Sequence, residues 1–492
     1  MNSPAAMISV QDLVIVAPMI ALFVVSLIPL MMKVLRGNRE ADPVSTLIWN
    51  FIGLVIAAGL TASFVGVKKT AFHDALVMDG ISLWMSFVVY IATGVALMLA
   101  YDNVATKGRQ FTEFCFLMTS SLIGMLILIM SNDLIVTFIG IEMMSLCLYI
   151  LVAMSREEVL SKEAAFKYFV LGSFGSAIFL YGVSFIYGTT GSTMFPVISQ
   201  SITTMVISRQ LFLLGLSMVA LGFCFKVAIF PLHAWAPDVY QGAATPVTAF
   251  MATAVKAASF VGFLRLFNSP GLAASMPLLH AMTWLAALTM MVGNTAALLQ
   301  DNVKRMLAYS SVAHSGYAMI GLIAAGFGNQ FQAAAASLLF YLFTYSLMTL
   351  GSFALVCAFE RNENISLSVK DLRGLSSRNP VMALSLTVLM LSLAGIPPTL
   401  GFFSKFYVFS AAIDQDMYWL PFWGVIASVI SVYFYLRPVV MMYMSEEQGA
   451  EVVRTQYLTR MTVVISAVLI VILGICASPL LKAVQASMQT LL

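Results

Sequence analysis

Long apolar runs alternate with short polar connections along the whole chain. The first run, 12–32, has no basic stretch before it and is followed by Lys33, Arg36 and Arg39. That order predicts a retained membrane anchor with its N-terminus outside, not a cleaved signal peptide. Further runs long enough to cross a hydrocarbon core of about 30 Å occur at 46–66, 80–100, 111–131, 133–154, 164–187, 210–236, 245–267, 277–299, 306–325, 332–358, 380–412, 417–442 and 461–482. The pattern predicts an all-α integral membrane protein of about fourteen transmembrane helices, numbered here as spans 1–14. No polar, Pro-rich or Gly/Ser-rich linker separates them, so residues 1–492 read as one membrane domain.

Composition agrees and narrows the chemistry. The 492 residues are 61% hydrophobic and 10% charged, against roughly 25% charged in ordinary soluble domains. A soluble globular fold is excluded. The net charge of +3, with no basic run, gives no footprint for nucleic acid. Cys115, Cys147, Cys224, Cys357 and Cys476 are too far apart for a CxxC, a zinc finger or an iron–sulfur run, and His73, His233, His280 and His314 are scattered. Neither GxGxxG nor a Walker loop occurs. Within a redox machine, electrons would therefore travel through other chains, and no cofactor or metal site is expected in this one.

Fourteen crossings starting outside predict which loops are basic. The cytoplasmic side would hold Lys33, Arg36, Arg39, Lys107, Arg109, Arg156, Lys162, Lys304, Arg305, Arg361, Lys370, Arg373, Arg378, Arg454 and Arg460, with Arg437 near the same edge. The outer side would hold only Lys68, Lys69, Arg209, Arg265 and Lys482. This asymmetry supports both the helix count and the orientation, because one missed crossing would scramble the later loops.

Four basic residues remain, Lys167, Lys226, Lys256 and Lys405, all inside predicted spans, and Glu142 is the comparably deep acid. Lys256 is nine residues from Arg265, Glu142 nine from Asp133 and Lys405 nine from Asp414, so at about 1.5 Å per residue each lies near the midplane. One charge there costs about 2.5–3.5 kcal/mol on insertion scales, and such residues are usually functional. Lys167 differs, because five residues from Lys162 its stem can snorkel to the interface. On span 8, Thr245, Thr248, Ala252, Lys256 and Ser259 form a small, polar stripe that points Lys256 inward. Desolvation disfavours a charged lysine and a nearby carboxylate favours it. A lysine whose carboxylate partner can be drawn away is thus a switchable proton carrier, although structural ion pairs use the same residue types.

Two spans carry proline in mid-membrane, Pro231 shortly after Lys226 in span 7 and Pro397–Pro398 before Lys405 in span 12. Proline frees backbone carbonyls, and at membrane depth such a break is tolerated only inside protein or beside a wet cavity. Span 7 is the fourth of spans 4–8 (111–267) and span 12 the fourth of spans 9–13 (277–442). Five is odd, so the second set enters from the opposite side, and the two sets fit inverted repeats, with spans 1–3 (1–110) and span 14 (461–482) outside them. His314 shares a face with Ser310 and Tyr317 on span 10, and His233 adjoins Pro231. Each fits either a packed histidine or a member of a proton path.

The stretches KVAIFPLHAWAPDVYQGAATPV, SLAGIPPTLGFFSKFYVF, FIGIEMMSLCLYIL, EAAFKYFVLGS and NVKRMLAYSSVAHSGY resemble the antiporter-like membrane subunits of bacterial proton-pumping NADH:quinone oxidoreductase, respiratory complex I. The likeness runs from span 1 to span 14. PDVYQGA after the break, lysine rather than glutamate at 405, and no long lateral helix after span 14 favour the N type within that family. The resemblance implies that Glu142 pairs with Lys226, that Lys256 is the central proton carrier and Lys405 the distal one, and that Lys167 is a further charged position. It also implies a proton-translocating chain in the bacterial cytoplasmic membrane, both termini outside, beside other complex I subunits. NADH, FMN, iron–sulfur clusters and quinone would be held by those partners. Two other readings are a subunit of a multi-subunit sodium/proton antiporter and a structural scaffold whose charges only hold helices together.

The loop asymmetry generates a test. Reporter fusions at Lys370 and Leu492 are expected on opposite sides of the membrane, the former cytoplasmic, and the same side for both would overturn the topology.

Overall fold

Polar residues at the edges of the apolar runs become helix caps. In the computed structural model, which describes residues 9–37, 42–103, 110–154, 159–204, 209–267, 276–327, 330–359, 367–445 and 456–488, Asp79 accepts the Ser82 amide at 2.9 Å and starts Gly80–Asp102. Asp133 accepts the Ile135 and Val136 amides at 2.7 and 3.1 Å and starts Leu134–Ala153. Asn302 and Asn379 do the same for Val303–Gly326 and Pro380–Ala394. Each cap satisfies backbone donors that a helix end leaves open. Among the cations assigned to loops, Arg39, Lys107, Arg109, Arg156, Arg361 and Arg454 lie outside the described residues, as do both chain ends.

Every predicted span is helical. Among the described residues, twelve helices are long and apolar enough to cross a membrane. Val303–Gly326 is not among them, because Lys304, Arg305, Ser310, Ser311, His314 and Ser315 lower its hydropathy, and span 12 is split into two shorter pieces. Span 2 runs Pro43–Ala62, earlier than its apolar run, because Asp42 caps it and Pro43 occupies the first turn. Span 6 extends to Val159–Thr190. Span 14 divides into Tyr457–Ile475 and Ala477–Met488 at Cys476. Between spans 2 and 3 a short hairpin pairs Lys69–Ala71 with Leu76–Met78.

Both proline breaks are present, and they position the site. Span 7 is Arg209–Lys226 followed by Trp235–Gly242, so its first helix ends at Lys226 itself. Span 12 is Pro380–Ala394 followed by Leu400–Ile413. Span 8, Thr245–Phe267, is enclosed on all sides and contains a π turn at Met251–Val255 directly before Lys256. Nothing in the sequence pattern predicts that turn. Spans 4 and 5 and spans 9 and 10 are joined by close backbone approach. A Cβ on Gly124 would lie 2.5 Å from the Met144 amide nitrogen, and one on Gly293 2.5 Å from that of Ala313. Small residues allow helices to meet this closely in a membrane.

Arg265, expected among the cations of the outer loops, is buried. Its guanidinium bonds both Asp79 oxygens at 2.9 and 2.8 Å, Ser82 Oγ at 2.6 Å and the Ile129 carbonyl at 2.5 Å. Span 8 carries Arg265 alongside the cap of span 3, and the bidentate pair locks spans 3, 4 and 8 together. Lys33 and Glu113, 2.6 Å apart, tie span 1 to span 4.

Arg265→Met is expected to cost about 3–5 kcal/mol by stranding a buried carboxylate. The Asp79→Asn/Arg265→Met double variant should recover most of it. Thermal unfolding of the purified variants measures both, and a single variant as stable as the double would refute the clamp.

Candidate functional site

Lys226, Lys256 and Lys405 are all buried, as the small and polar residues around them require. Lys226 Nζ donates to Ser145 Oγ at 2.9 Å. Ser145 lies one turn beyond Glu142 on span 5, and the Glu142 carboxylate accepts a hydrogen bond from Ser176 of span 6. Glu142 is within electrostatic reach of Lys226. Among the described residues no ion pair joins the two, so in this structure a serine stands where direct contact was expected. The carbonyls freed by the span 7 break have donors, with Trp235 Nε1 on the Phe225 oxygen at 3.0 Å and Ser315 Oγ on the Val227 oxygen at 2.6 Å.

One face of span 10 serves the other two lysines. Lys256 Nζ donates to the Ser311 carbonyl at 2.6 Å and to its hydroxyl, and lies 5.5 Å from the Tyr345 ring centre. One turn on, His314 is held between Tyr341 and Tyr435. A turn further, Tyr317 places its ring 4.7 Å from Lys405 Nζ, while its hydroxyl accepts from Ser428 at 3.1 Å and from Asn294 at 3.3 Å. Residues at three- and four-residue steps share a helix face, so span 10 lays Ser311, His314 and Tyr317 in line from Lys256 to Lys405.

Lys405 occupies the break of its own span. Its Nζ donates to the Leu393 and Ala394 carbonyls at 3.2 and 3.0 Å and to Ser428 Oγ at 3.4 Å. The two carbonyls belong to the last turn of Pro380–Ala394, where a helix has unpaired acceptors and partial negative charge. Gly395 ends that helix with φ of +85°, and a Cβ there would sit 3.1 Å from Lys405 Cδ. Glycine permits both the left-handed turn and the approach of the lysine.

The remaining candidates lie apart. Lys167 is partly exposed at the predicted cytoplasmic edge, 2.8 Å from both Glu163 and Asp238, and Asp238 also pairs with Arg305 at 2.9 Å. His233 is half-buried in the span 7 break, its ring 5.6 Å from that of Phe230. Ser145, Ser311, Tyr341, Tyr345, Ser428 and Tyr435 escaped the sequence reading. Their signal was a polar tip in an apolar helix, which needs a buried partner.

A profile of the NADH:quinone oxidoreductase/Mrp antiporter transmembrane family matches residues 131–431, which include all five charged candidates and both breaks. The chain is 51% identical to NADH-quinone oxidoreductase subunit N of Bdellovibrio bacteriovorus, over 98% of this chain and 99% of that protein. It is also similar to a chain in respiratory complex I from Thermus thermophilus with bound aureothin, at 31% identity and a TM-score of 0.80, covering 95% and 99% of the two chains. A chain of the Mrp complex from Dietzia shares the fold, at 18% identity and a TM-score of 0.81 over 98% of each. The chain belongs to the NADH:quinone oxidoreductase/Mrp antiporter membrane family. It is a multi-pass membrane protein, and the likeness to N-type subunits read from its motifs is borne out.

Glu142 and Lys226 are expected to act as a pair through the Ser145 side of span 5. Glu142→Gln removes the carboxylate that favours the ammonium, and Lys226→Ala leaves that carboxylate alone. Proton transport by the double variant, normalised to assembled complex, should fall by clearly less than the two single losses combined. Simple additivity would show that they are independent.

Proposed function

We propose that this chain is a proton-translocating membrane-arm subunit of a bacterial NADH:quinone oxidoreductase, sited in the cytoplasmic membrane with both termini outside. Its fourteen spans form two inverted sets, 4–8 and 9–13, flanked by spans 1–3 and 14. NADH, flavin, iron–sulfur clusters and quinone belong to partner subunits, since this sequence carries no motif for them. The likeness to the Mrp chain supports the fold and no choice of ion.

The observation that carries the reading is the row Lys226, Lys256, Lys405, three buried lysines whose direct hydrogen-bond partners are all uncharged. An unpaired lysine at the midplane costs about 2.5–3.5 kcal/mol. A scaffold would gain by replacing it with a neutral residue. A carrier needs it, because a lysine with neutral partners can give up its proton without stranding an anion. The acceptors on Nζ increase along the row, from one hydroxyl at Lys226 to a carbonyl and a hydroxyl at Lys256 and to two carbonyls and a hydroxyl at Lys405. The ammonium form is therefore increasingly well hydrogen-bonded toward Lys405. Quinone reduction in the partner subunits acts on Glu142, whose field on Lys226 sets when the row loads. Lys167, in its network with Glu163, Asp238 and Arg305, is the charged position on the cytoplasmic side. His233 lines the break behind Lys226, and His314 bridges the two distal lysines.

Lys256→Ala is expected to abolish most coupled quinone reduction and proton pumping while leaving assembly intact, because the stripe on span 8 accepts alanine. Electron transfer to an artificial acceptor that branches off before quinone should be unchanged. An assembled variant that pumps at the normal rate would overturn the reading. Copurification with small antiporter subunits, without flavin and iron–sulfur partners, would replace it by a cation/proton antiporter.

A further inference from the structure

Both ring nitrogens of His314 meet a tyrosine hydroxyl. Nδ1 lies 2.7 Å from Tyr341 Oη and Nε2 3.1 Å from Tyr435 Oη. Tyr435 Oη is bonded in turn to Ser310 Oγ, and Tyr341 Oη lies 3.4 Å from the carbonyl oxygen of His314 itself. All four residues are buried, and they come from spans 10, 11 and 13. Lys256 and Lys405 are both within electrostatic reach of the imidazole. Among the described residues, no hydrogen bond joins this group directly to either lysine.

A neutral imidazole has one N–H and one bare nitrogen, so of two flanking hydroxyls one must donate to the ring and the other must accept from it. Two complete arrangements follow. In the first, Ser310 donates to Tyr435, Tyr435 donates to Nε2, Nδ1–H donates to Tyr341, and Tyr341 donates to the His314 carbonyl. In the second the bonds to the ring and to Ser310 reverse: Tyr341 donates to Nδ1 and releases the His314 carbonyl, which can only accept, Nε2–H donates to Tyr435, and Tyr435 donates to Ser310. The two differ by the position of one proton on the ring and by rotation of hydroxyls, with no heavy atom displaced. A proton taken up at one nitrogen gives an imidazolium whose two N–H groups both find a phenol oxygen to accept them. Loss of a proton from the other nitrogen leaves the neutral ring in its second tautomer, with one proton received and one released.

We infer that Tyr341 and Tyr435 are positioning residues that keep both tautomers of His314 hydrogen-bonded, so that the imidazole hands a proton from the Lys256 side to the Lys405 side. Ser310 is the outer end of this group and allows Tyr435 to reverse. The inference rests on the translocation reading given above and adds to it the groups that let a buried histidine turn over. Without the Tyr435 hydroxyl, Nε2 loses its partner and the ring settles as the Nδ1–H form, which Tyr341 and the His314 carbonyl still satisfy. The tautomer cycle then stalls.

The test uses the assembled complex in membrane vesicles, with Tyr435→Phe, Tyr341→Phe and Ser310→Ala compared with wild type and with Lys405→Ala. Phenylalanine keeps the ring and removes only the hydroxyl. Tyr435→Phe is expected to assemble normally and to lower pumping roughly tenfold, less than the 10² that a lost general acid or base typically removes. Its solvent deuterium isotope effect on coupled turnover should rise, because proton transfer at His314 becomes the slow step. Tyr341→Phe should behave alike, and Ser310→Ala should show a smaller change in the same direction. Normal pumping in both tyrosine variants would overturn the inference. So would reduced pumping with an unchanged isotope effect, or failure of all three variants to assemble, since either outcome makes the group purely structural. Lys405→Ala separates the two levels: if it too pumps normally, the translocation reading fails, whereas if it does not, only the role of the tyrosines does.

Discussion

An ammonium group inside a hydrocarbon layer has to be hydrogen-bonded by the protein, and in this chain that requirement shapes the interior. Span 12 is broken so that two carbonyls at the end of Pro380–Ala394 can receive Lys405, and Gly395 turns the chain there without a side chain in the way. Span 10 is too polar to count as an ordinary transmembrane helix, because its face must supply Ser311 to Lys256 and Tyr317 to Lys405. Span 9 meets this polar helix by close approach at Gly293, as span 4 meets span 5 at Gly124, and there packing rather than polar bonding carries the cohesion.

The same chain buries charge in a second, contrasting way. Arg265 and Asp79 are both buried, and each saturates the other in a bidentate pair. Neither can change charge without leaving the other exposed to a low dielectric, so the pair is suited to holding spans in place. The three central lysines lack such a counter-charge in contact. The interior thus separates groups that must keep their charge from groups that can lose it, and the difference lies in the partner rather than in the depth.

Much of this was legible in the sequence, for reasons that particular residues make plain. Apolar run length located the helices, and the prolines at 231 and 397–398 located both breaks, because a missing N–H acts locally and needs no tertiary knowledge. The depth of Glu142, Lys256 and Lys405 followed from their distance to the nearest polar edge. Helix ends were less secure: Asp42 and Pro43 start span 2 ahead of its apolar run. Arg265 looked like a loop cation because nothing in its neighbourhood along the chain announces Asp79, which is 186 positions away. The π turn before Lys256 arises from how span 8 packs against its neighbours, and no local pattern encodes it. The tyrosines were hidden for a related reason, since a phenol in an apolar helix looks like packing until its hydroxyl is seen to have a partner. Glu142 and Lys226 were placed correctly on their spans, but the serine between them depends on the rotation of span 5, which a nearly uniform apolar helix does not reveal.

The enclosure of span 8 also bears on how the chain is made. Thr245–Phe267 has no lipid-facing side, and the acceptors of Lys256 come from Ser311, which a ribosome adds only after span 8 has been completed. Until spans 10 and 11 arrive, the helix carrying the central lysine has neither its wall nor its hydrogen bonds. Spans 4–8 are therefore not self-sufficient during biogenesis, and a fragment ending near residue 267 would present an unsatisfied ammonium to lipid or to the insertion machinery. Quality control of this protein would act on that exposed charge, which disappears only once the second half has folded around it.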